Sequence, residues 1–224
     1  MMDHGPKSYW AEFLGTFTLC FIGQGAIVLN QVTGGQPGLL GIAIAHGLAL
    51  AVMISALGAA SGGHFNPAVT FGFVVTGRQS WTSAITYWGS QILGAVVASF
   101  LLRAVVPGEA GDAVHYGAAA VSPLITPMQA MMIEFVLTFF LVTAVWGTAV
   151  DERAPKIGGF GIGLTVLMDI LMGGPLTGAA MNPARAFGAA LISGTWGDHW
   201  IWWVGPLLGG AAAARVYKSV VLKP

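Results

Sequence analysis

The sequence predicts an all-α membrane protein of six transmembrane helices plus two re-entrant half-helices, arranged as inverted repeats within one domain spanning residues 1–224. Three observations predict it. Hydrophobic residues make up 55% of the chain and charged residues only 8%, with a mean hydropathy of +0.76, too apolar a balance to wrap a core in a water-facing surface. Six stretches are apolar for long enough to cross a bilayer, which takes roughly 20 residues because the hydrocarbon layer is about 30 Å thick and a helix rises about 1.5 Å per residue. Finally, Ser61-Gly-Gly-His-Phe-Asn-Pro-Ala-Val-Thr-Phe-Gly72 returns 116 residues later as Thr177-Gly-Ala-Ala-Met-Asn-Pro-Ala-Arg-Ala-Phe-Gly188.

The first span is expected over Ala11–Val32. Met1–Tyr9 ahead of it is short, and the apolar run is long enough to be retained, so no cleavable signal peptide is expected. The second span covers Gly38–Ala60, and the first repeated motif follows it. Proline suits the first turn of a helix, where its missing N–H sacrifices no hydrogen bond, and a side-chain oxygen just before it caps free backbone donors. Asn66-Pro67-Ala68 therefore reads as a helix start, and the helix Pro67–Thr76 is long enough to cross only half the bilayer. The third span is Trp81–Val106, the fourth Met128–Val150 and the fifth Ile157–Gly174. Asn182-Pro183-Ala184 then opens a second half-helix, Pro183–Ile192, and the sixth span is His199–Leu222.

The duplication extends beyond the tripeptide. Ala11-Glu12-Phe-Leu-Gly-Thr-Phe17 opens one half as Ile133-Glu134-Phe-Val-Leu-Thr-Phe139 opens the other, and Tyr87-Trp88…Gly94 is echoed by Trp202-Trp203…Gly209. Each half holds three spans, an odd number, so the second half, near residues 128–222, enters the membrane from the face opposite to the first, near 8–107. The extended segments Gly62-Gly63-His64 and Gly178-Ala179-Ala180 then lie at membrane depth, which backbone tolerates only when buried in protein or lining a watery cavity. A continuous aqueous path follows.

Charge sets the orientation. Lys7, Arg78, Arg153, Lys156, Arg215, Lys218 and Lys223 fall on the side shared by both termini, which places the termini in the cytoplasm. Loops assigned to the other face, Thr33–Pro37, Pro107–Pro127 and Ile192–Asp198, carry Glu109, Asp112 and Asp198 and no Lys or Arg. Arg103 and Arg185 break the pattern. The single Cys20 lies inside a span, so disulfides contribute nothing.

With paired Asn-Pro-Ala boxes, Arg185 directly after the second, and Glu12 and Glu134 in the first helix of each half, the chain resembles the aquaporins, of the major intrinsic protein family, over essentially its whole length. The resemblance implies a right-handed helical bundle, a homotetramer with a pore in every subunit, and passive conduction of water. Two half-helix N-termini would each present about half a positive charge at mid-membrane, with the Asn66 and Asn182 amides as directed donors. A water accepting both would turn its hydrogens outward along the file, so a proton could not hop through, and the field would oppose cations. Carbonyls of Gly62, Gly63, His64, Gly178, Ala179 and Ala180 would replace lost hydration. Glu12 and Glu134 would support the re-entrant loops.

By the same resemblance, His46, 20 residues before Asn66, and Ile170, 12 before Asn182, would join Ala179 and Arg185 in a selectivity ring. Narrow water-only members carry Phe and His at the first two positions; His with Ile resembles the plant tonoplast subgroup and implies a wider opening. Glycerol facilitators place Asp after the arginine, where this chain has Ala186. Water is the expected substrate, with ammonia second; a glycerol or urea facilitator is the alternative. A secondary transporter could share inverted repeats but needs an ion-coupling site. An enzyme needs convergent acid, base, nucleophile or metal groups, and none converge.

Other residues carry two readings each. Asp169 is an interhelical contact or a pore group; His64 packs its ring or senses pH; His115 is an exposed loop residue or overhangs the mouth. The nine Met residues and Cys20 read as packing, and no metal, cofactor or nucleic acid is expected. The short termini and the compact Asp151–Lys156 loop leave little room for an elaborate gate, and a cell (plasma) membrane of a prokaryote is expected rather than a plant vacuole.

Overall fold

The computed structural model describes residues 5–155 and 157–222, so Lys156 and Lys223 lie outside the described residues. Helix α1 runs Pro6–Val32, α2 Gly38–Ser61, α3 Pro67–Val75, α4 Trp81–Val105, α5 Gly108–Ala113, α6 Pro127–Val145, α7 Phe160–Thr177, α8 Pro183–Ser193 and α9 Ile201–Val216. No strand occurs among the described residues. Five helices (α1, α2, α4, α7, and α6 with its π-helical extension Trp146–Val150) are long and apolar enough to cross a membrane. The sixth, α9, has 16 residues and is lengthened by the five-residue π-helical turn Tyr217–Val221.

Local chemistry explains the boundaries. Pro6 occupies the first turn of α1, which begins ahead of the expected Ala11 because Ser8 ties that turn to the Ala60 carbonyl at 2.8 Å. Ser80 caps α4, and Thr126 with Gln129 forms a capping box on α6. Helix α7 outlasts the expected Gly174 and holds Pro175 within its last turn, ending where Gly178 takes a left-handed conformation at φ 77°. The stretch expected as a plain loop, 107–127, contains α5 and the 3₁₀ turn His115–Gly117.

Burial is distributed as lipid demands. Large apolar side chains face outward, Trp10, Leu40, Val52, Ile85 and Phe100 among them, while Glu12, Gln24, His46, Gln91, Glu134, Asp169 and Arg185 are buried. Lipid offers little hydrophobic drive between helices, so close backbone approach must hold them. Glycine supplies it. A methyl on Gly94 of α4 would overlap the Phe13 carbonyl of α1, and one on Gly209 of α9 would overlap the Phe135 carbonyl of α6. Gly47 of α2 and Gly163 of α7 cross in the same manner, an added Gly47 methyl lying 2.6 Å from the Gly163 oxygen. The half-helices pack chiefly on the opposite half, α3 against α9 and α8 against α4.

Candidate functional site

Two five-residue links bring the repeated motifs together. After α2, Gly62, Gly63 and Phe65 take φ of 88°, 65° and 48°; after α7, Gly178, Ala179 and Met181 take 77°, 41° and 51°. Left-handed conformations at Phe65, Ala179 and Met181 are uncommon for residues with a Cβ, and the surroundings must hold them. They do so through buried carboxyl groups. Glu12 Oε1 accepts from Ser61 Oγ (2.7 Å) and the His64 N–H (2.9 Å), and Oε2 from the Phe65 N–H (2.6 Å) and Gln91 Nε2 (2.7 Å). Glu134 Oε1 accepts from Thr177 Oγ1 (2.7 Å) and the Ala180 N–H (2.9 Å), and Oε2 from the Met181 N–H (2.7 Å). Tyr87 Oη bonds the Ser61 carbonyl at 2.8 Å, as Trp202 Nε1 bonds that of Thr177 at 3.0 Å.

The links deliver Asn66 and Asn182 to one place. Each is extended and caps its half-helix: Asn66 Oδ1 accepts from the Ala68 N–H at 2.8 Å, Asn182 Oδ1 from those of Ala184 (3.1 Å) and Arg185 (3.3 Å). Each amide also reaches across. Asn66 Nδ2 donates to the Met181 carbonyl at 2.8 Å, and Asn182 Nδ2 to that of Phe65 at 2.9 Å. This cross-bonding was not visible in the sequence. An amide carries two N–H groups, so one on each asparagine remains.

His46, Ile170, Ala179 and Arg185 also converge, all nearly inaccessible. Arg185 Nη2 lies 3.3 Å from His46 Nε2, and His46 Nδ1 lies 2.9 Å from the Ile42 carbonyl oxygen. Arg185 Nε and Nη1 have no protein partner. A cavity runs from this cluster past Leu19, Leu50, Ile54, Val69, Leu141, Val145, Ile162 and Val166, with Gly63, His64, Ala179, Ala180, Asn66 and Asn182 as its polar stripe. A second opens beyond, lined by Ile27, Leu39, Ile42, Gly117, Ala118, Gly174 and Gly178. His46, Ile170 and Arg185 border both. Gly62 lies on neither wall; its N–H caps α2 on the Gly58 carbonyl at 2.7 Å.

The remaining residues sort as follows. His64 turns Nδ1 to Thr70 Oγ1 at 3.1 Å and stacks on Phe73. His115 is exposed and lines neither cavity; its loop contributes Gly117 and Ala118 instead. Asp169 is buried, outside both cavities, with Oδ2 unpartnered. Sequence reasoning missed Gln91, which donates to Glu12 and to Thr70 Oγ1 (3.0 Å), and Gly23, where a methyl would overlap the His46 ring. Neither had a sequence signal beyond a polar or small residue inside a span. Among the described residues no metal-binding group of His, Cys, Asp and Glu forms.

Comparison with known proteins gives a consistent result. The family model for the major intrinsic protein matches residues 4–217. "Probable aquaporin TIP3-2" of Arabidopsis thaliana is 42% identical over 225 residues, covering 95% of this chain and 82% of the relative. "Aquaporin TIP4-4" of Zea mays is 43% identical over 224 residues, covering 96% and 87%. Among solved structures, the aquaglyceroporin from Plasmodium falciparum superposes with a TM-score of 0.86 at 27% identity, covering 96% of both chains. Family model, relatives and helical architecture agree that the chain belongs to the major intrinsic protein family, as a TIP-like aquaporin.

Proposed function

We propose that this multi-pass membrane protein is a passive water channel whose path crosses the ring of His46, Ile170, Ala179 and Arg185 and then the Asn66–Asn182 pair. The family consists of channels, not enzymes, and its members pass water and small neutral solutes. The observation that carries the reading is the reciprocal bonding of Asn66 to Met181 and Asn182 to Phe65, which holds two half-helix N-termini face to face. Each end presents about half a positive charge. One remaining N–H on each amide suffices to orient a passing water oxygen, and the positive field opposes cations and hydronium. The apolar wall offers water nothing to bind, which favours rapid passage along the carbonyl stripe.

The substrate reading extends to ammonia. Ile170 and Ala179 leave the ring with Arg185 as its principal donor, a surface on which a small neutral acceptor binds as water does. We further propose that residues 8–107 and 128–222 are inverted repeats of one domain, as the paired Glu12 and Glu134 networks support, and that the chain forms a homotetramer in lipid. The Lys and Arg bias supports cytoplasmic termini. We place this multi-pass protein in the plasma membrane.

Stopped-flow measurements on liposomes holding the purified protein, run in parallel with water, ammonia, urea and glycerol, test this. Water should lead, with an activation energy close to free diffusion. Shrinkage no faster than in empty liposomes overturns the channel; glycerol flux rivalling water makes it a facilitator; flux that needs an ion gradient makes it a transporter. Ammonia uptake equal with and without protein removes the second substrate.

A further inference from the structure

Arg103, the cation that stood apart from the charge asymmetry, has a counterpart across the molecule. Arg103 Nη1, in the last turn of α4, donates to the Ile192 carbonyl at 2.9 Å. Lys218 Nζ, just beyond α9, donates to the Thr76 carbonyl at 2.8 Å. Ile192 lies in the last turn of α8, and Thr76 is the C-cap of α3. Each half-helix thus has a full positive charge bonded to its carbonyl end, and in each case the cation comes from the opposite half. Arg103 is steadied by the Tyr116 ring, 5.7 Å from its guanidinium carbon.

A helix C-terminus carries about half a negative charge, and both half-helices are short, about 14 and 16 Å. Their negative poles therefore lie close enough to the asparagines to cancel part of the positive field there. We propose that Arg103 and Lys218 are positioning residues for cation exclusion: they neutralise the outward poles of α8 and α3, leaving the inward poles at Asn182 and Asn66 unopposed. This rests on the channel reading above. A unit charge removed at about 15 Å, at an effective dielectric of about 20, changes cation entry about sixfold. Because both cations are exposed, salt screens the effect, nearly completely at about 1 M, where the Debye length is about 3 Å, and little at about 10 mM, where it is about 30 Å.

The test is R103Q and K218Q, singly and together, beside R103K and K218R, all in liposomes. Water permeability and passive K⁺ and proton flux are read at both salt concentrations. The glutamine variants should conduct water as the parent does, leak cations about sixfold more per substitution at low salt, and match the parent at high salt; the charge-conserving variants should stay tight. Leak unchanged at low salt, or leak independent of salt, overturns the proposal, the latter marking a distorted pore. A parent protein that passes no water refutes the channel reading instead.

Discussion

His46 has both ring nitrogens committed: Nδ1 lies 2.9 Å from the Ile42 carbonyl oxygen and Nε2 lies 3.3 Å from Arg185 Nη2. A carbonyl only accepts and a guanidinium only donates, so the ring is the neutral tautomer with its proton on Nδ1. It offers the pore no donor of its own. Its job is to hold Arg185, whose Nε and Nη1 have no protein partner. The ring therefore combines one cation with largely apolar walls, a composition suited to small neutral acceptors.

The ring stands where it does because α1 has no side chain at Gly23. A methyl there would overlap the imidazole, which can yield only toward the pore or away from Arg185. Gly23→Ala should therefore cut water permeability at least about tenfold, the order of effect that a one-methyl mismatch produces in a tight site. Folding should survive, since α1 gains helix propensity. Permeability per channel equal to the parent in reconstituted liposomes defeats this account of Gly23.

Asn182→Asp probes the cross-bonded pair. The change removes the donor to the Phe65 carbonyl, sets a carboxylate oxygen against that carbonyl, and places negative charge at a positive helix pole. The N-cap function survives, because aspartate caps as well as asparagine. Water flux should fall and cation flux rise, both relative to Asn182→Ser, which keeps a capping oxygen without the charge. Equal ion flux in the two variants, measured by potential-driven efflux, counts against charge as the operative factor.

How much of this could be read in advance follows from the range of each interaction. Hydropathy runs and proline positions are local, so all six spans and both half-helices were legible within a few residues. The asparagine capping bonds are local too, reaching two or three residues ahead. The bonds that give the site its geometry are not: Asn66 and Met181 are 115 positions apart, and Gln91 reaches Glu12 across 79. Motif spacing located Asn66, Asn182 and Arg185 without showing which atoms they bond. Resemblance pointed to His46, but Gly23, which lets it sit there, has no pattern at all in a chain with 33 glycines.

The carboxyl supports make a stability prediction. Both oxygens of Glu134 accept from backbone N–H groups, Ala180 on one and Met181 on the other. Glu134→Gln must turn an NH₂ toward one of these donors, leaving it unsatisfied at a cost of about 1 to 3 kcal/mol. The same change at Glu12 should cost as much or more, since each Glu12 oxygen also accepts from a side chain, Ser61 on one and Gln91 on the other. Thermal denaturation in detergent should show both variants melting lower, with Gln91→Ala milder because it removes a partner without misdirecting a backbone donor. A parent-like melting temperature for both glutamine variants contradicts the role given to these side chains.

On the face carrying the termini, Asp151 fastens the link between α6 and α7 to the end of the chain. Arg153 Nε and Nη2 donate to its two oxygens at 2.9 and 2.7 Å, Tyr217 Oη donates to Oδ2 at 3.2 Å, and Arg153 Nη2 also reaches the Val221 carbonyl at 3.0 Å. The Arg153 guanidinium holds the Asp151 carboxyl well below the usual carboxylate range. A depressed folded value means that the latch is fully present above the unfolded pKa of about 3.9 and is lost as pH falls through the folded value. Cleavage of the 151–159 link by an acid-active protease should therefore stay slow from neutral pH to about 4 and quicken below it. Asp151→Asn should be cleaved faster already at pH 7, by about two- to fivefold, as befits an ion pair whose arginine is exposed to solvent. Water permeability should not change in that variant, because the latch touches neither cavity; a fall in flux would mean that this link controls the pore.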